Sequence, residues 1–397
     1  MRRSALTFIV ITVVLDMLAL GIIIPVLPKL LLEFEGGDSA RAASVSGVFG
    51  IVFNAMQFLC APVLGALSDR VGRRPILLLS TFGLGLDYAV MAVAPSVRWL
   101  LLGRVIAGVC AATFTTAGAY IADVTPPERR AASFGLLSAA FGFGFVIGPA
   151  FGGFLGQVNP RYPFWGAAAL SLLNTLYGFF VLPESLPPDR RAPFRWSRAN
   201  PFAALGWLRQ QESIARLVVV VFLSRLAHEV LPSVSVLYTL HRYGWTTGTV
   251  GLSMAIFGGL GLIFQGRLLG PTVARLGEPR SLRLGLTLGA LAFSIYGLAP
   301  TGALYFAGIP FAVLWGMAGP SAQALMTRRV LPTEQGRLQG ALGGVQGIAG
   351  LIGPGLFTGV FAAAVGRFAD WHVPGAPFLV AATLLAAGAV VARAVTE

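Results

Sequence analysis

Charge is scarce in this chain: Asp, Glu, Lys and Arg make up 11% of its 397 residues, against about a quarter in a soluble domain. Lys29 is the only lysine, and it lacks the preceding glycine pattern of a phosphate-binding loop. No nucleotide site is therefore expected, and any work must come from another source. The two cysteines, Cys60 and Cys110, both lie inside apolar runs, which excludes a disulfide framework. Pro232 stands where the second histidine of an HExxH metallopeptidase would follow His228 and Glu229, which excludes that site. There is no aspartate-rich DDxxD cluster of the kind a membrane enzyme of lipid-linked substrates needs. No metal, no cofactor and no enzymatic activity are predicted.

What the chain has instead is apolar length. Hydrophobic residues make up 56% of it, and its mean hydropathy is +0.77. A helix needs about 20 mainly apolar residues to cross a bilayer. Twelve such stretches lie near 5–32, 44–67, 75–95, 99–122, 131–155, 163–182, 214–240, 248–270, 281–299, 303–326, 338–365 and 374–394. They are too long and continuous for barrel strands, so backbone groups in lipid must bond within each segment, as helices. The first run continues past Asp16 without a small-residue cleavage site and reads as a retained helix. The predicted class is an all-α membrane protein with twelve transmembrane helices.

A formal charge of +13 invites a nucleic-acid partner, but its distribution removes the need for one. Twenty basic residues fall in the loops and termini of one side, including Arg190, Arg191, Arg195, Arg198 and Arg209; six fall on the other. This positive-inside bias predicts both termini on the cytoplasmic side.

The one long polar connection, 183–212, divides a six-helix bundle at 1–182 from a second at 213–397. The halves echo each other. A shift of 205 residues carries Gly65, Arg70 and Gly72 onto Gly270, Arg275 and Gly277, Gly103 onto Gly308, Gly135 onto Gly340, and Gly148-Pro149 onto Gly353-Pro354. Repeated membrane halves predict a transporter with a small-molecule substrate bound between them.

Ionisable groups deep in apolar spans are costly, about 2.5–3.5 kcal/mol each at a helix centre. Asp16, Asp87, Arg104, Arg225, His228, Glu229 and Arg267 are placed this way. A carboxylate in a semi-dry cavity can load a proton on one side and release it on the other, and a cationic substrate can compete for the same group. That is antiport in its simplest form, with protons as the second partner. A static Asp–Arg brace is the other reading of Asp87 and Arg104. Arg225, His228 and Glu229 share one helix face at i, i+3, i+4, followed by Pro232; they read either as a second proton site or as a local ion pair beside a core histidine. Arg267 reads as a residue reaching for the interface. Asn54, Gln57, Gln323 and Gln346 are uncharged candidates for a cavity.

In the loop "GALSDRVGRRP" (65–75), Gly65 is read as permitting close helix approach and Gly72 a tight bend, while Arg70, Arg73 and Arg74 hold the turn at an anionic surface. Asp69 is read either as topology or as part of a latch on a neighbouring helix end or arginine. Gly144, Gly148, Pro149, Gly152 and Gly153 form a stripe of small residues fit for close helix packing.

The loop motif resembles that of the major facilitator superfamily. "LGRVIAG" (102–108) resembles its fourth-helix basic motif, and "GFVIGPAFGG" (144–153) the fifth-helix motif of drug/proton antiporters. "LDMLALGIIIPVLPKLL" (15–31), "GLDYAVMA" (85–92), "VLYTLHRYGW" (236–245) and "GRLQGALGGVQGIAGLIGP" (336–354) are similar to the bacterial tetracycline-efflux branch. The resemblance implies two pseudo-symmetric six-helix halves, a bacterial inner membrane, a monomer, and export of an amphiphilic drug in exchange for protons. It also implies that Asp16, Asp87 and Arg104 serve proton and substrate. Proton-coupled import of a metabolite is the alternative. Two positions depart from the branch. Its eighth-helix histidine and ninth-helix aspartate correspond here to Gly261 and Gly289, and in the second copy of the loop Ala274 stands opposite Asp69.

Overall fold

The computed structural model describes residues 2–111, 113–126, 129–194, 196, 206, 208, 211–331 and 334–396. Arg195, Arg198 and Arg209 of the predicted cytoplasmic set lie outside the described residues. Among the described residues every regular element is helical. Eleven helices among the described residues are long and apolar enough to cross a membrane. The remaining predicted stretch, 214–240, is present as two shorter helices that meet at Glu229.

Before the linker the chain runs through α1 (Arg2–Ile23), α2 (Leu27–Phe34), α3 (Ser39–Val71), α4 (Arg73–Val93), α5 (Val97–Cys110), α6 (Thr113–Val124), α7 (Arg130–Val158) and α8 (Tyr162–Val181). After it come α9 (Glu212–His228), α10 (Val230–Tyr243), α11 (Thr247–Ile263), α12 (Leu269–Leu276) and α13 (Glu278–Leu298). The chain closes with α14 (Gly302–Trp315), α15 (Ala318–Thr327), α16 (Gln335–Val365) and α17 (Ala376–Thr396).

Three of the helix interruptions in the second half of the chain have a proline one turn downstream. Pro232 follows the α9–α10 break, Pro271 follows a π-helical turn at Phe264–Leu268, and Pro320 follows the α14–α15 break. Proline lacks the N–H that would bond four residues back, and its ring crowds that carbonyl. A residue at 232, 271 or 320 therefore leaves the carbonyls of His228, Arg267 and Gly316 without their usual helical partner.

The residues form two compact units: Met1–Phe34, Val52–Pro201 and Thr246–Ala255 in the first, and Glu35–Ile51, Phe202–Trp245 and Ile256–Glu397 in the second. The first unit is built around α1. Ile9, Val13, Tyr120, Ile121 and Leu137 are buried in its core. The second unit is held by aromatic rings: Tyr296 stacks on Tyr305 with centroids 4.2 Å apart, and Tyr238 meets Phe378 at 5.0 Å. The Tyr238 hydroxyl donates to the Tyr296 carbonyl at 2.7 Å, so this hydroxyl is satisfied where lipid offers no partner.

Candidate functional site

The carboxyl groups of the first unit sit where apolar helices converge. Asp16, on α1, is 4% exposed, and Asp87, on α4, is fully buried. Arg104, on α5, reaches Asp87 Oδ2 at 3.2 Å and Met91 Sδ at 2.9 Å, with Phe53 of α3 under its guanidinium at 5.8 Å. A side chain on Gly103 would collide with Asp87 and with Met91, so glycine there lets α5 lie against α4 at this level. One oxygen of each carboxylate is buried without a protein partner, as is Arg104 Nε. Asp16, Asp87 and Arg104 all act electrostatically on the buried Tyr88. The three predicted coupling residues thus share one neighbourhood.

In the second unit, Arg225, His228 and Glu229 cluster at the α9–α10 break. No ion pair joins Arg225 to Glu229 among the described residues, although the two act on each other electrostatically. Arg225 Nε is buried without a partner. The His228 ring lies 5.7 Å from that of Trp315, whose indole nitrogen donates to Ser224 at 3.2 Å. Trp315 also fills the space beside Gly289: a side-chain carbon there would meet its ring at 2.8 Å. An acid at 289 therefore has no room. At Gly261 such a carbon would meet nothing within 4 Å, so open space alone does not supply the missing group.

The remaining candidates are scattered. Asn54 and Gln57 are half-buried on one face of α3. Gln323 and Gln346 are exposed, and Gln323 donates to Gln339 at 3.3 Å. Arg267 is exposed within the π-helical turn.

At the loop between α3 and α4, Gly72 takes φ 113°, a conformation that L side chains avoid. Its counterpart Gly277 takes φ 77°. The close approach expected at Gly65 is absent: a side chain there would meet nothing within 4 Å. Arg73 Nη1 pairs with Asp69 at 2.6 Å and donates to Ser68 Oγ at 2.6 Å, while Arg73 Nε pairs with Asp123 of α6 at 3.1 Å. Glu184, just past α8, accepts the backbone N–H groups of Arg73 and Arg74 at 2.9 and 3.3 Å and so caps the N-terminus of α4. Arg74 donates to the Phe179 carbonyl, and Arg70 is exposed. The start of the polar connection is bonded in too, with Ala192 N–H on the Asp69 carbonyl at 3.0 Å.

Sequence reading missed Asp123 and Glu184. A signal was available, since the 205-residue shift carries Arg73 onto Glu278 and Asp123 onto Arg328. In the second unit Glu278 and Arg328 form an ion pair. The two halves make the same contact with the charges exchanged.

The glycine stripe of α7 works on two faces. A carbon added to Gly144 would lie 2.5 Å from Met17 Cβ, and one on Gly148 would lie 2.7 Å from Gly21 Cα; Gly152 abuts Ile22. On the other face Gly153 and Pro149 pack on Thr247 and Gly251 of α11, and Thr247 donates to the Gly153 carbonyl at 3.0 Å.

Residues 9–354 match the Major Facilitator Superfamily. The chain belongs to this superfamily. It is 40% identical over 389 residues to the class C tetracycline resistance protein of Escherichia coli, covering 98% of both chains. It is 36% identical to the class G tetracycline resistance protein of Vibrio anguillarum, over 94% of this chain and 93% of that one. Among solved structures, the human organic anion transporter MFSD10 superposes with a TM-score of 0.71 at 24% identity, over 98% and 99% of the two chains, a likeness that shows the fold. The resemblance read from the motifs to the tetracycline-efflux branch is borne out by these relatives. This facilitator is a multi-pass membrane protein, all-helical, with the fold of a transporter.

Proposed function

We propose that this facilitator exports tetracycline-like amphiphilic molecules across a bacterial inner membrane in exchange for protons, with both termini in the cytoplasm and the monomer as the working unit. The observation that carries the reading is the pair of buried carboxylates, Asp16 and Asp87, each with an oxygen left without a protein partner, Asp87 paired with Arg104 and Asp16 with no ion pair, in a chain so similar to tetracycline resistance proteins. Desolvation cancels much of the Coulomb gain of a buried ion pair, so such groups make poor braces and good proton carriers.

In this mechanism Asp16 and Asp87 hold protons in one access state and release them in the other. Arg104 is the counter-charge of Asp87 when that carboxyl has given up its proton. Glu229, beside Arg225 at the helix break, takes the part of an acid in the second half, where Trp315 leaves none possible at Gly289. Direction is supported by the relatives' role in resistance.

The experiment is an efflux-deficient bacterial host expressing the chain, paired with everted vesicles energised acid-inside. Tetracycline should discharge the pH gradient and the host should gain resistance. An undisturbed gradient across tetracycline and a panel of cationic amphiphiles rejects the proposal.

A further inference from the structure

Five side-chain oxygens on α1 and α8 are buried without any partner: Thr12 Oγ1, Asp16 Oδ1, Ser171 Oγ, Asn174 Oδ1 and the Tyr177 hydroxyl. They are not randomly placed. The Asn174 amide donates to the Thr12 carbonyl at 2.9 Å, and the Phe8 ring meets the Tyr177 ring at 6.3 Å. Numbers rise along α1 as they fall along α8, so the helices run antiparallel in this register. One turn beyond Thr12 on α1 stands Asp16; one turn before Asn174 on α8 stands Ser171. The unpartnered oxygens therefore form a ladder along one seam, from Asp16 to the Tyr177 end. Thr175, next to Asn174, has partners by contrast: its hydroxyl lies 2.9 Å from the Ser171 carbonyl and 3.0 Å from the Thr81 hydroxyl.

Membrane helices normally hide a serine or threonine hydroxyl by bonding it one turn back. The Thr12 and Ser171 hydroxyls are not bonded this way, and the Asp16, Asn174 and Tyr177 oxygens lie open along the same seam; buried polar atoms without protein partners are the usual hosts of ordered water. We propose that this seam holds a file of water that conducts protons between Asp16 and the cytoplasmic end of the first unit, apart from the route the substrate takes. A proton leaves the Asp16 carboxyl for the adjoining water and a bonded proton of that water moves on to the next. The Thr12 and Ser171 hydroxyls accept and donate in turn, the Asn174 oxygen orients a water by accepting, and the last water releases a proton at Tyr177. The carboxylate left behind is the form that takes up the next proton. This inference rests on the antiport reading, which gives Asp16 protons to dispose of.

The test uses Thr12→Val together with Ser171→Ala, which remove two hydroxyls with little change of volume. Gradient-driven tetracycline accumulation in proteoliposomes should slow by about tenfold, while drug-for-drug exchange without net proton movement stays within about twofold. Thr175→Val, removing a hydroxyl that already has a partner, should change neither. Unchanged driven accumulation in the double variant overturns the proposal, and so does an equal loss of both reactions. X-ray radiolytic hydroxyl labelling gives a readout that needs no substrate: oxidation of Tyr177 should fall severalfold in the double variant, and equal labelling overturns the water file. Should the parent protein move no tetracycline, the antiport reading fails, and the labelling alone decides the file.

Discussion

Asp87 and Asp16 are both carboxylates buried in one helical unit, yet replacing them should have opposite consequences. Asp87 is the counter-charge of Arg104. Asp87→Asn leaves that guanidinium buried and uncompensated, a loss of about 3–5 kcal/mol, to be seen as a lowered Tm of the detergent-solubilised protein. Adding Arg104→Gln should restore most of the Tm without restoring transport. Asp16 has no such partner. Asp16→Asn should hold stability within about 1 kcal/mol, since no hydrogen bond or ion pair is given up, while gradient-driven uptake in everted vesicles disappears. Full active transport by that variant would remove Asp16 from the mechanism. These carboxylates were legible in the sequence because an acid in an apolar run has no cheap explanation. Thr12, Ser171 and Asn174 were not. Small polar residues are common in membrane helices, and only the structure separates a hydroxyl bonded to its own helix, such as Thr81 on the Leu77 carbonyl at 3.1 Å, from one left open.

At the scale of elements, the loop after α3 and its repeat after α12 make like contacts of unequal weight. Arg73 is 11% exposed and holds Asp69, Asp123 and Ser68 at once; Arg328 is 69% exposed and holds Glu278. Arg73→Ala should therefore cost about 3 kcal/mol, as breaking a buried pair does, whereas Arg328→Ala should cost under about 1 kcal/mol. Chemical denaturation in mild detergent would rank the two, and equal effects would refute the distinction. Along α7, Gly148→Leu should prevent α1 from seating and reduce folded protein in the membrane, because the obstacle is backbone rather than a movable side chain. Helix positions were readable from hydropathy alone. The interruption at Glu229 was foreshadowed by Pro232, but its depth was not, because proline bends some helices and leaves others whole; Pro149 and Pro354 lie inside unbroken ones.

For the whole molecule, the proposed exchange draws its energy from the pH gradient, so the size of that gradient fixes what transport can reach. Each unit of pH difference is worth about 1.4 kcal/mol per proton, hence about tenfold accumulation for each proton exchanged. Accumulation at a series of imposed gradients should rise with that slope or a whole multiple of it, and an ionophore that collapses the gradient should abolish it. The repeat that organises the chain was visible as glycines at a constant offset. The exchanged charges at Arg73–Asp123 and Glu278–Arg328 escaped notice because matching identical residues overlooks a pair that keeps its contact and swaps its signs.

The glycine seam between α1 and α7 leaves no side-chain thickness between two backbones, so neither helix can roll or slide against the other without collision. Asp16 is carried on that welded pair as a lamp is carried on a ship's mast. A swing of its own helix alone cannot change what Asp16 faces; the pair must move together.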